Sequence, residues 1–262
     1  MAAGMVGCVL GAVLDLVLPP SCAGCGAKGA SCCPRCFAAL TARPARRVPT
    51  PAPPGLPDCW SAAPYEGAVR RTIVAYKERG MVTLAGALAE AIARTALAAI
   101  AHVEGPGRSE GRGRSGERGR SERWERSEGA GWAAGGAFAV VPVPSARRSV
   151  RGRGHDHVGR LAELVAGRLR ASGLAGATVW AALGQARRIT DQAGLSCTER
   201  GSNVAGSLRV VAAAKGPPVA FALLVDDIVT TGATLAEAAR ALRAEGVAAP
   251  LAVTAGATRR RS

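Results

Sequence analysis

Apolar and polar positions follow two different periods along this chain. Residues 68–76 mix apolar and basic side chains at helical spacing, and residues 77–80 close that helix with a turn. Residues 82–100 are rich in Ala and Leu and predict a second helix; residues 161–170 predict a third. Short β-rich runs stand at 137–143, closing on Pro144, at 177–183 and at 208–213. Residues 219–225 form a continuous apolar run, as expected of a strand buried on both faces. A helix over 234–245 stops at Gly246, and 247–254 predict a last strand. This alternation predicts an α/β fold with a mostly parallel central sheet flanked by helices.

Three stretches interrupt the pattern. The apolar opening, residues 5–18, is broken by Asp15. It falls short of the roughly 20 residues a bilayer span needs, and it lacks the basic start of a signal peptide. It predicts a short helix packed on the body, no membrane span, and a cytoplasmic protein with reduced thiols. Residues 42–58 are Pro-rich and read as a linker rather than an element. Residues 104–136 repeat Gly-Arg-Ser-Glu at 107–110 and 119–122, alternate Arg with Glu, and carry almost no aliphatic residues. Such a segment cannot offset its ordering entropy, so it predicts a disordered surface insertion. The organisation that follows is an N-terminal region at 1–41, a linker at 42–58, and a main domain at 59–262.

Charge adds one constraint. The 262-residue chain carries a formal net charge of +15, which suits phosphorylated small molecules, nucleic acid or an anionic membrane surface. Biased codon usage is the competing explanation, because the arginines are dispersed and form no stripe with aromatic residues.

Of eight cysteines, five crowd into residues 22–36. Cys22 and Cys25 form one C-x2-C pair and Cys33 and Cys36 a second, with seven residues between them. Two such knuckles can place four thiolates around a structural Zn²⁺. Gly24 and Gly26 permit the sharp turns, and Cys32 is a candidate substitute ligand. A set of small buried or redox-active thiols is the alternative. Cys8, Cys59 and Cys197 are isolated and read as structural or incidental.

The sharpest chemical signal is the run Leu223-Leu-Val225-Asp226-Asp227-Ile-Val-Thr230-Thr231-Gly232-Ala233-Thr234. A hydrophobic strand ends in two acids, a Thr/Gly loop follows, and an Ala-rich helix begins. Ligands of open α/β sheets bind at the carboxyl ends of strands. Loop N–H groups and a helix N-terminus make an anion site there. Gly232 lets the backbone approach the anion, and the Thr230, Thr231 and Thr234 hydroxyls add donors. The Asp226 and Asp227 carboxylates suit vicinal ribose hydroxyls. A Walker-type loop is excluded, because no Gly-Lys-Ser/Thr follows.

This run resembles the phosphoribosyl pyrophosphate (PRPP) signature of type I phosphoribosyltransferases, with Val225, Asp226, Asp227, Thr230, Thr231, Gly232, Ala233 and Thr234 in its PRPP-binding positions. Other segments resemble the ComF family. Val141-Pro-Val-Pro144, followed by Ser145, Arg147, Arg148, Arg151 and Arg153, is similar to its pyrophosphate loop. Arg187 to Asn203, with Arg188, Gln192, Arg200 and Asn203, is similar to its mobile hood. Tyr65-Glu-Gly67, Tyr76-Lys77-Glu-Arg-Gly80 and the cysteine knuckles complete the resemblance.

The resemblance implies a type I phosphoribosyltransferase fold with a small N-terminal zinc knuckle. It implies PRPP taken with Mg²⁺, and transfer of the phosphoribosyl group to a nitrogen acceptor, with Asp226 and Asp227 catalytic. It equally implies a non-catalytic PRPP- or nucleotide-binding module acting in DNA uptake, whose partners would be single-stranded DNA or a DNA-uptake helicase. The oligomeric state does not follow. Two departures stand out. Gly154-His155-Asp156-His157 replaces the Gly-Phe-Asn-Gln of many relatives, and the Pro-rich linker stands where many carry further cysteines. His155 and His157, with Asp156, offer either a metal or proton-shuttle site, or a structural or phosphate-contacting role.

Overall fold

The computed structural model describes residues 20–104, 132, 136–144, 156–186, 204–211 and 219–258. It is a mixed α/β structure with a mostly parallel sheet of six strands flanked by helices. The first helix, α1 (Pro34–Thr41), is followed by β1 (Ala45–Arg46), β2 (Asp58–Pro64) and α2 (Gly67–Arg79). A 3-10 turn (Val82–Leu84) leads into the long helix α3 (Ala85–Glu104). The chain continues through β3 (Phe138–Pro142), α4 (His157–Ala171) and β4 (Ala177–Val179). A small hairpin of β5 (Leu183–Gln185) and β6 (Leu208–Val210) precedes β7 (Phe221–Val229), α5 (Ala233–Ala244) and β8 (Ala248–Ala257).

The six strands lie in the order β1-β2-β8-β7-β3-β4, and all neighbours but β1 and β2 are parallel. From β3 the chain crosses over through α4 to β4 on one side. From β7 it crosses through α5 to β8 on the other. β3 and β7 are neighbours, so their carboxyl ends flank a topological switch point. In open α/β sheets the ligand crevice falls at such a point, where the two crossovers leave in opposite directions.

The two faces of the sheet fill separately. Leu223, Val225, Leu251 and Val253 join one core with Ile73 of α2, Leu88 and Ile92 of α3, and Leu161, Val165 and Leu169 of α4. Ala222, Leu224 and Ala252 join a second core with Leu235, Ala238, Ala239 and Leu242 of α5. Alternate residues of β7 thus face opposite layers, as strand geometry requires. A buried hydrogen bond of 2.7 Å between the Ser61 and Thr254 hydroxyls ties β2 to β8. The stretch Val82–Glu104 is apolar and long enough to cross a membrane by length and composition, but 61% of an apolar 18-residue window within it is buried inside the protein. Its hydrophobicity is the signature of a helix covered on most sides.

Several expectations need correction. β2 falls where no strand was expected, because Asp-Cys-Trp-Ser-Ala-Ala-Pro carries no β-branched residue; burial between antiparallel β1 and parallel β8 carries it instead. The run 177–183 is not one strand. It breaks after Val179, and Leu183 starts a separate hairpin with β6. The Pro-rich 42–58 contains β1, whose Ala45 and Arg46 pair with Ser61 and Trp60. Arg46 also pairs with Asp58 across that ladder. The apolar opening 5–18 and most of the 104–136 stretch lie outside the described residues. Trp132 within that stretch is nevertheless 1% exposed, its ring 4.6 Å from Phe138 and 4.7 Å from Phe221.

Trp132 therefore belongs to the core. Trp132→Ala is expected to lower unfolding free energy by about 3–5 kcal/mol, as a large buried aromatic does when truncated. Urea denaturation followed by far-UV circular dichroism checks this, and a change under 1 kcal/mol, roughly the surface-site range, would refute it.

Candidate functional site

β7 does not end at its acids. Asp226, Ile228 and Val229 stay in register with Thr254, Gly256 and Ala257 of β8, so the strand runs to Val229 and only residues 230–232 turn. This corrects the expected break after Val225. The parallel partner β8 continues past the acids and satisfies their backbone groups. Val225 is fully buried, with its carbonyl accepting from the Val143 N–H at 2.9 Å, so its side chain belongs to the core.

The acids are not equivalent. Asp227 is 2% exposed, and its Oδ2 receives the Lys77 ammonium at 2.8 Å and His157 Nε2 at 3.1 Å. Burial alone would raise its pKa, but the His157 hydrogen bond and the Lys77 charge hold it down at about 2. Asp226 is half-buried, with Oδ1 accepting the Asp227 N–H at 2.8 Å. Burial, then the neighbouring Asp227 charge, raises its pKa well above the usual carboxylate range.

Helices α2 and α4 deliver the partners. Lys77 sits in the last turn of α2, which ends at Gly80. His157 opens α4, whose cap is Asp156, its Oδ1 accepting from the Gly159 N–H at 3.0 Å. The buried Tyr76 hydroxyl donates to the His157 carbonyl at 2.8 Å, locking the two helices together at this point. This geometry gives His157 a structural place against Asp227. Its neighbour His155 lies outside the described residues. Sequence reasoning singled out both Tyr76-Lys77 and His157, but no local pattern revealed that they converge on Asp227.

The turn that follows suits an anion. Thr230 is exposed, Thr231 Oγ1 faces the Ala233 N–H at 3.4 Å, and Thr234 is half-buried in the first turn of α5. The first N–H groups of a helix have no intrahelical acceptor and carry its positive end. Gly232 caps α5 at φ +77°, where a side chain is strained. A Cβ there would also lie 2.9 Å from Leu56, so the Pro-rich segment buttresses the turn from behind.

A second cluster lies at the N-terminal knuckle. The sulfurs of Cys22, Cys25, Cys33 and Cys36 all lie within 4.8 Å of one another. Zn–S bonds of about 2.3 Å in a tetrahedron put sulfurs ~3.8 Å apart, so this set fits a metal such as zinc. Cys25 and Cys33 Sγ are 3.6 Å apart, and the Cys33 N–H donates to Cys22 Sγ at 3.3 Å. Burial opposes ionisation of Cys22, but the N–H groups of Cys33, Cys25 and Gly24 bring its pKa down to about 6. A Cβ on Gly24 would lie 2.7 Å from Cys36 Sγ, so glycine keeps the turn against the cluster. Cys32 is not part of the set: burial pushes its thiol up to about 11. Cys59 is buried in β2, its thiol raised to about 12 by burial and donating to the Pro57 carbonyl at 3.3 Å.

The remaining expected site residues, Ser145, Arg147, Arg148, Arg151, Arg153, Arg188, Gln192, Arg200 and Asn203, lie outside the described residues, as do Cys8 and Cys197. The chain leaves β3 toward the arginines at Pro144, at the switch-point crevice itself. Comparison with protein-family models and with curated proteins returned no match.

Two outcomes are expected. Asp227 has a folded pKa below its ordinary 3.8, so its stabilisation is full above that value and is lost as pH falls toward about 2. Thermal midpoints measured across that window should fall steeply for the native chain and much less for Asp227→Asn. At the knuckle, Cys22→Ser or Cys36→Ser should abolish stoichiometric zinc in elemental analysis, whereas Cys32→Ser should retain it.

Proposed function

We propose that this protein is a type I phosphoribosyltransferase-like protein of the ComF kind, binding PRPP at the crevice between β3 and β7. The observation that carries this reading is the placement of Asp226 and the 230–232 turn at the switch point, with α5 starting directly behind the turn. A ribose 5-phosphate fits such a place with its phosphate on the turn and helix N-terminus and its hydroxyls toward the acid. The expected pyrophosphate loop leaves β3 on the opposite bank, which suits a ligand carrying phosphates at both ends of the sugar.

The reaction is displacement at ribose C1. A nitrogen nucleophile forms the new C–N bond as the C1–O bond to pyrophosphate breaks, and pyrophosphate leaves with the electron pair. The ring becomes oxocarbenium-like, so a carboxyl dipole beside the ribose hydroxyls and positive charge at the leaving group both favour it. The chain supplies the phosphate turn, Asp226 at the ribose, and Arg147, Arg148, Arg151 and Arg153 toward the leaving group. Mg²⁺ would enter with PRPP and offset the charge of the leaving pyrophosphate; Asp226 offers the hard oxygen donor it takes. The four-cysteine knuckle holds structural zinc, and the protein works in the cytoplasm.

Calorimetric titration of PRPP with Mg²⁺ into the metal-replete protein tests the reading. Saturable binding is expected, weakened by about tenfold or more in Asp226→Asn through loss of a hydrogen bond to the ligand. Absence of heat at millimolar PRPP would sink it and leave the DNA-uptake module as the reading to pursue.

A further inference from the structure

The sequence gives the two acids one shared role, yet the structure separates them. Successive residues of a strand point to opposite faces. Asp227 follows Leu223 and Val225 onto the face of α2 and α4, where it is buried. One of its oxygens already carries two partners, Lys77 at 2.8 Å and His157 at 3.1 Å. Asp226 is half-buried, and its carboxylate is met by the Asp227 N–H, which donates to Oδ1 at 2.8 Å. Lys77 is a cation on α2, and His157 can serve the carboxylate by carrying its proton on Nε2. His157 is the first residue of α4, the helix that follows β3 in the crossover to β4. The Tyr76 hydroxyl fixes that helix start through the His157 carbonyl.

We infer that Asp227 is a positioning residue, locked to Lys77 and His157, and that Asp226 alone of the pair contacts the ligand's ribose hydroxyls. The network pins the end of β7 and the start of α4 to α2, so that the phosphate turn and the β3 bank keep a fixed separation. This assignment rests on the phosphoribosyl reading for the identity of the ligand. It differs from the expectation that both carboxylates hold the sugar.

Affinities for inorganic phosphate and for ribose 5-phosphate, measured by calorimetry on the full chain beside thermal midpoints, separate the two roles. Asp226→Asn should weaken ribose 5-phosphate by about tenfold while leaving phosphate nearly unchanged, since only the sugar hydroxyls lose a partner. Asp227→Asn and Lys77→Met should each weaken both ligands by a common factor and lower the midpoint. Lys77→Arg, which keeps the charge, should restore most of both. Combining Lys77→Met with Asp227→Asn should cost less than the sum of the single changes, because removing both charges leaves neither one buried alone. Selective loss of ribose 5-phosphate in Asp227→Asn, with phosphate affinity and midpoint intact, would overturn the assignment. So would strictly additive midpoints in the double variant. Native protein that binds neither ligand would instead refute the phosphoribosyl reading, and the thermal cycle would still decide whether Asp227 is locked.

Discussion

A carboxylate buried at the end of a central strand must find positive charge or be protonated, and the layout around β7 follows from that constraint. Asp227 draws Lys77 from the last turn of α2 and His157 from the first turn of α4. Removing one partner of such a cluster strands the other, at a cost of roughly 3–5 kcal/mol. The cluster is therefore a weak source of net stability but a strong determinant of which helix end meets which strand. It holds the end of α2 and the start of α4 at the carboxyl end of β7, close in sequence to the turn that opens α5.

The knuckle and the crevice share helix α2. Arg71 Nε donates to the Gly24 carbonyl at 2.6 Å, and the Thr83 hydroxyl donates to Ser31 at 3.2 Å, fastening the cysteine turn to the main domain. Leu40 of α1 enters the same core as Tyr76 and Ile73. Helix α2 thus touches the cysteine turn through Arg71 and Asp227 through Lys77. A metal at the first would stiffen the support of the second without touching it.

Much of the fold was legible because periodicity and burial agree. The apolar run before Asp226 and the Ala-rich stretch after Gly232 became β7 and α5, with ends displaced by a few residues. The cysteine spacing likewise foretold four sulfurs in mutual reach. What escaped was set by distant partners. β2 has poor intrinsic strand character and exists because β8 lies beside it. The strand continues through two acids because β8 continues too, a fact absent from residues 226–229 themselves. Asp226 and Asp227 look identical in a string and diverge only in the fold, where Asp227 is buried against Lys77 and His157 and Asp226 stays half-exposed. Lys77 and His157 are eighty residues apart in sequence, so no local window shows them meeting.

The burial of Trp132 bears on how this protein tolerates variation. Helix α3 and Trp132 both anchor in the same core cluster, one on each flank of residues 105–131. Between two fixed anchors added chain length is cheap, because loop-closure entropy rises by only about 0.6 kcal/mol for each doubling. Gained repeats or a grafted peptide between the anchors would then load the core at Phe138 and Phe221, the first residues of β3 and β7, at the opposite end of those strands from Asp226 and Asp227.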